Sequence, residues 1–239
     1  MQSRPPKLPD SQYSRKSSGS FFGRRKGQKL SPSRQALFDG LLPKLKVDPE
    51  SDKPETVSEW AAGKTINLEI GFGGGEHLIH QARTHAEACF IGVEPFVNSL
   101  GKALKSIDEL GLENIRLYDD DAIRLLDWLP DNSISRIDLL YPDPWPKKRH
   151  WKRRFVNQEN LSRFSRILKP GGLFRFASDI DTYVNWTLCH CHLHPSFQWT
   201  ACQADDWRKP WEGWSSTRYE AKALREGRTP CYLVFKCIN

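Results

Sequence analysis

The 239 residues, 38% of them apolar and 11% aromatic, are enough for one α/β domain with a sizeable core. They fit a globular protein, and no apolar run approaches the length of a membrane helix. The formal charge of +7 is concentrated, because residues 1–35 hold nine Lys or Arg against Asp10 alone, a balance of +8 that leaves −1 for the rest. A basic arm on a near-neutral body reads as a polyanion-binding segment or as a solvated tail.

Residues 1–30 are rich in Ser, Pro, Lys and Arg and have little to bury, so their order must come from a partner or from docking on the body. The composition is that of a transit peptide, without the amphipathic period of one. Within it "SFFGRRKG" (residues 20–27) sets two aromatics beside a cation cluster. That pattern either stacks on bases with the cations on phosphates, or anchors the arm to the core. Leu37, Leu41, Leu42 and Leu45 recur at helical spacing, and residues 49–54 read as linker. This gives a basic extension and linker over 1–60 and an α/β domain over 61–239. In that domain the apolar pattern predicts strands near 66–70, 89–94, 114–118, 136–141, 173–178, 197–202 and 231–237. Helices are predicted near 76–82, 97–110, 122–126, 157–168 and 182–192. Alternation of this kind implies parallel pairing with right-handed crossovers, hence an open, doubly wound sheet of seven strands.

The first strand runs into a glycine-rich turn and a helix start in "NLEIGFGGGEHL" (residues 67–78), the arrangement that lets backbone approach a nucleotide. As a dinucleotide fingerprint it begins with Gly71 and Gly73 and fails at Glu76, where the third glycine should stand. Glu69, two residues before Gly71, would repel a pyrophosphate. It would favour the ammonium and sulfonium of S-adenosylmethionine. Glu94 ends the second strand, where a carboxylate can accept both ribose hydroxyls or act as a helix N-terminal acid. Asp121 follows the third strand, suited to the adenine amino group or to an N-cap. Three acids at three successive strand ends favour a cofactor site.

The fourth strand delivers "YPDPWPKKRHWKRR" (residues 141–154) to the edge where ligands bind in open α/β sheets. Pro142 and Pro144 stiffen the chain on either side of Asp143. A rigid carboxylate beside a methyl donor suits an acceptor that becomes cationic on methylation. Guanine N7 has a free lone pair at neutral pH and needs no general base, and a carboxylate accepting from its N1 and N2 hydrogens would stabilise the developing charge. The loop after it, with six Lys or Arg, one His and Trp151 in residues 147–154, reads as a grip on the flanking phosphates with an aromatic for stacking.

From about residue 20 onward the chain resembles the bacterial tRNA (guanine-N7-)-methyltransferases, the TrmB family, through "EIGFGGGEHL", "GVEP", "PDPWPKKRHWKRR", "FASD" and "TRYEAKALREGR" in order. The resemblance implies a Rossmann-like methyltransferase fold and methylation of the variable-loop guanine at position 46 of tRNA. It implies S-adenosylmethionine on Glu69, Glu94, Asp121 and Asp143, at the turn of Gly71, with Asp143 also the active-site acid. It implies substrate on Lys147, Asp179, Thr217, Arg218, Tyr219 and Glu220. Taken alone, "TRYE" is a capping-box-like helix start and "FASD" a strand end with an acid.

"CHCHLH" (residues 189–194) offers zinc-type ligands, yet alternate residues of a helix face apart and no second pair stands near, so a helix end without metal is expected. The six scattered cysteines with no apolar leader predict reduced thiols in the cytoplasm. The tryptophans near the C-terminus are expected to pack against the sheet. Two other readings compete: an adenine-N6-type enzyme, which would show Asp/Asn-Pro-Pro before its aromatic where this chain has Asp-Pro-Trp, and a non-catalytic RNA-binding module, which would not need the strand-end acids. The expected state is monomer or homodimer, with no obligatory protein partner.

Overall fold

A strand covered on both faces reads as a continuous apolar run, and in β1 (Thr65–Ile70) every residue after Thr65 is buried. The computed structural model describes Gly23 and residues 25–239. In it α1 (Pro32–Gly40), α2 (Leu42–Leu45) and α3 (Glu55–Ala61) precede β1. Then come α4 (Glu76–Thr84), β2 (Ala88–Val93), α5 (Val97–Leu110), β3 (Ile115–Tyr118), α6 (Ala122–Trp128) and β4 (Ile134–Leu140). After a 3₁₀ helix (Lys148–Arg153) follow α7 (Gln158–Ile167), β5 (Leu168–Ser178), α8 (Asp181–Leu193), β6 (Phe197–Trp199), α9 (Asp205–Arg208), α10 (Arg218–Arg225) and β7 (Cys231–Cys237).

The seven strands form one sheet in the order β3-β2-β1-β4-β5-β7-β6. Strands β1 to β5 are parallel, and the order reverses between β1 and β4, the switch point where open α/β sheets bind ligands. Alternate residues of β2 feed two apolar layers: Cys89, Ile91 and Val93 join α3, α6, α7 and α8, whereas Ala88 and Phe90 join α2, α4 and α5.

The expectation of parallel pairing throughout fails at β7, which is antiparallel to β5 and to β6. Its first residue, Cys231, pairs with Ser178 at the carboxyl end of β5. The chain between β6 and β7 makes no crossover to the other edge, so β7 must run back down. β6 is also shorter than expected: after Trp199 the N–H groups of Cys202 and Gln203 turn to Asp206 and the chain leaves the sheet. The 157–168 helix stops at Ile167, and Leu168 already belongs to β5.

The extension is docked where it is described. Leu42 and Leu45 are buried, each contributing about 1.5–3 kcal/mol, and the Val47 N–H bonds the Leu117 carbonyl, which covers the β3 edge. α3 lies just beyond the expected linker and sends Val57 and Ala61 into the core. α1 crosses α5 at Gly101, where a Cβ would stand 3.2 Å from the Phe38 ring.

Candidate active site

A cavity of about 420 Å³ opens at the carboxyl edge of β1, β2 and β4. Glu94, at the end of β2, is 9% exposed. It accepts from the Gly73 N–H (2.8 Å) through Oε2 and from the Phe96 N–H (2.9 Å) through Oε1, which fastens the glycine turn to the neighbouring strand. Burial pushes its carboxyl above the usual range, against the pull of those two N–H groups. Gly71 lines the same wall with φ +73°, and a Cβ there would project into open space. Asp121 caps α6 through the Ile123 N–H (3.0 Å) and also lines the cavity.

Asp143 stands at the mouth on a bent support. Tyr141 (φ +49°) and Trp145 (φ +45°) are left-handed on either side of Pro142, Asp143 and Pro144, a conformation that non-glycine residues hold only when their surroundings impose it. The Tyr141 N–H extends the β5 ladder by bonding the Ala177 carbonyl at 2.8 Å. On the other side Arg154 donates to the Pro144 carbonyl (2.9 Å), the Thr182 carbonyl (2.7 Å) and the Thr182 hydroxyl (3.0 Å). Crowding by neighbouring atoms raises the Asp143 carboxyl above its ordinary value.

Arg154 is thus a correction to the reading of the basic run: at 1% exposure it faces inward and holds the loop, not a phosphate. Trp151 is occupied as well, edge-on to Trp186 at 5.8 Å with the Arg154 guanidinium 4.5 Å from its ring. Lys147, Lys148, Arg149 and Lys152 remain exposed. Trp145 and Arg153, which the sequence did not single out, line the cavity together with Phe155.

Glu69 is absent from the cavity wall. It is 5% exposed and its Oε2 lies 2.8 Å from Nδ1 of His77 on α4. Register places Glu69, Asp138 and Arg175 side by side across β1, β4 and β5. Arg175 clasps Asp138 at 2.6 and 3.0 Å, and Arg136 reaches the same carboxylate at 3.0 Å. Burial alone would raise the Asp138 carboxyl, but the two guanidiniums hold it far below the usual range. Trp211 covers Arg175 at 4.3 Å, and Trp214 lies 5.4 Å from the His77 ring, so these tryptophans do pack over the sheet.

The 217–220 segment divides in the same way. Thr217 caps α10 by accepting from the Glu220 N–H at 3.2 Å. Glu220, 3% exposed, does not reach back as a capping box would; its carboxylate takes the Trp214 Nε1–H (2.9 Å) and the Tyr232 hydroxyl. Tyr219 lines the cavity, and Arg218 lies over the glycine turn. Asp179 pairs with Arg228, and Lys147 opens the 3₁₀ helix, both away from the cavity wall. Of the "SFFGRRKG" stretch, Phe21 and Phe22 lie outside the described residues; beyond them Gly23 touches the cavity, Arg25 pairs with Asp120, and the Gly27 N–H donates to Asn98 (2.8 Å). Cys189 is exposed and Cys191 buried, so the two thiols of the Cys-His run face apart.

A family model described as a putative methyltransferase matches residues 63–233. A tRNA (guanine-N(7)-)-methyltransferase of Agrobacterium fabrum is 62% identical over 217 residues, spanning 90% of this chain and 94% of that protein. One from Brucella melitensis is 53% identical, spanning 95% and 98%. The chain belongs to the tRNA (guanine-N7-)-methyltransferase family. Among solved structures, the 16S rRNA methyltransferase KamB superposes with a TM-score of 0.58 at 14% identity, over 77% of this chain and 93% of that one. An antibiotic-related methyltransferase gives 0.52 at 18%, over 80% and 94%. At such identities the likeness to this member of the tRNA (guanine-N7-)-methyltransferase family is one of fold. Among the described residues no helix is long and apolar enough to cross a membrane.

Proposed function

We propose that this chain transfers the methyl group of S-adenosyl-L-methionine to N7 of guanine 46 in the variable loop of tRNA. The observation that carries this reading is the meeting of Glu94, Asp121 and Asp143 around one cavity at the switch point of the sheet. The wall suits that cofactor by its donor set: two sheltered carboxylates for ribose hydroxyls and an adenine amino group, and a bare Cα at Gly71 where a nucleoside can lie against backbone. When bound, S-adenosylmethionine supplies an electrophilic methyl on a sulfonium that departs as a neutral thioether.

Glu94 and Asp121 hold the nucleoside side of the reaction, and the N–H groups that Glu94 already accepts keep its carboxylate in place. Asp143 orients the guanine by accepting from N1 and N2, with the N7 lone pair turned toward the methyl carbon. As the N7–C bond forms, positive charge appears on the purine and Asp143 faces it. No proton leaves N7, so no base is required. The exposed cations of residues 147–152 hold phosphates beside the target. In this reading residues 61–239 are the methyltransferase domain and residues 1–60 its basic extension. The test is methyl transfer from labelled cofactor to tRNA transcripts followed by mapping of N7-methylguanine. Label at guanine 46, lost when that base is replaced by adenine, is expected; label elsewhere, or none, overturns the reading.

A further inference from the structure

The cavity poses a question of charge. Its wall bears three carboxylates, Glu94, Asp121 and Asp143, while the cofactor assigned to it carries a carboxylate of its own at the amino-acid end. Beside those acids that group would be repelled unless a cation stood at its end of the cavity. Arg153 stacks on Trp145 at 4.9 Å, on the loop that presents Asp143 to the acceptor base. Arg218 is the cation at the glycine turn. A Cβ on Gly73 would stand 3.0 Å from its Nη2, and one on Gly74 3.1 Å.

Arg218 is placed but not satisfied. Nε and Nη2 have no hydrogen-bond partner among the described residues. The nearest acid, Glu76, is 3.6 Å from Nε, beyond hydrogen-bond range, and the side chain is 34% exposed. Its charge reaches the cavity, since it counters the effect of burial on Glu94. The next residue, Tyr219, is itself part of the wall, its ring 5.2 Å from the guanidinium. A guanidinium beside an acid, at the turn that leads into the cavity, presents a partner for each end of a zwitterion.

We propose that Arg218 binds the α-carboxylate of the cofactor's methionine moiety and selects for an intact amino-acid end, an inference that rests on the cavity holding S-adenosylmethionine. The resemblance set Arg218 on the RNA side; its place over the glycine turn sets it on the cofactor side. α10 then serves both ligands, with Glu220 holding it to Tyr232 and Trp214 below and Arg218 reaching over the turn.

Titration calorimetry with two ligands tests this. S-adenosylhomocysteine has the amino-acid end, and 5′-methylthioadenosine has the same nucleoside without it. Arg218→Met should weaken S-adenosylhomocysteine by about 10- to 100-fold, the loss of a charge-assisted hydrogen bond, and leave methylthioadenosine within twofold. Arg218→Lys should fall between, because an ammonium keeps the charge without the fork. Unchanged S-adenosylhomocysteine affinity in Arg218→Met, or equal losses for both ligands, overturns the proposal while the cofactor reading stands. A wild-type chain that binds neither ligand removes both. Methylthioadenosine bound normally by the variant also certifies its fold.

Discussion

Lys152 and Arg154 stand two residues apart in the most basic stretch of the chain and should respond in opposite ways to the same substitution. Arg154→Met keeps much of the side-chain volume between Trp151 and Tyr183, whose rings lie 4.5 and 4.8 Å from the guanidinium, but it donates nothing. The Pro144 and Thr182 carbonyls, bonded at 2.9 and 2.7 Å, lose a charged donor. At about 1.5 kcal/mol each the loss is about 3 kcal/mol. For a domain of this size that lowers the melting temperature by roughly 6–12 °C. Lys152→Met, at an exposed position, should melt within about 2 °C of the parent and lose tRNA affinity instead. Thermal unfolding followed by circular dichroism reads both. Methyl transfer at a temperature where each variant is folded should show the Arg154 variant impaired in kcat, because Pro144 is the residue that follows Asp143. An Arg154→Met protein that melts with the parent would refute the inward anchor.

Asp143→Asn should lower kcat about 10²-fold with no recovery at alkaline pH, since there is no general base to replace; full recovery would contradict the assignment. Because crowding raises the Asp143 carboxyl, it takes up its proton at a higher pH than an ordinary aspartate. The wild-type rate should therefore fall early on acidification, and Asp143→Asn should keep only the part of that limb owed to Glu94, whose carboxyl burial also raises. Replacing Lys147, Lys148, Arg149 and Lys152 together by Gln should reduce the slope of log affinity for tRNA against log salt by about 3, and an unchanged slope would move the RNA contact elsewhere. Asp138→Asn takes from Arg175 and Arg136 the carboxylate they both hold in a buried site and should destabilise the fold by about 3–5 kcal/mol in urea unfolding. The folded-state pKa of Asp138 is depressed, so its contribution is present above the ordinary carboxylate range near about 4 and is lost only as pH falls through that range toward the lower value.

What could be read from the sequence was whatever depends on local period. Strand ends are fixed by where apolar runs stop, so Glu94, Asp121 and Asp143 fell where the cavity is. Side-chain direction depends on more. Glu69 sits on the opposite face of β1 from Ile66, Leu68 and Ile70, and alternation along the strand would have turned it toward α4, where His77 waits. Arg154 was illegible because a run of cations looks alike until one knows which member meets aromatics; its partners Tyr183 and Trp186 come from α8, about thirty residues on. The reversed direction of β7 left no trace in helix length, since α10, with 8 residues, is no shorter than α6, whose 7 residues serve the parallel crossover from β3 to β4.

In the sheet β6 has one neighbour, and that neighbour is β7, which is also the strand that closes on β5. Synthesis makes β6 first. Until β7 emerges, β6 has no strand to pair with and β5 presents an open edge beside Ser178, next to the turn that leads to Asp179. The five strands β1 to β5 can therefore assemble while the chain is still growing, and the Tyr232 hydroxyl that holds Glu220, with it the seating of α10, arrives only with β7. Nascent chains should pass through a stage with β1 to β5 assembled and α10, with Tyr219 of the cavity wall, still unseated.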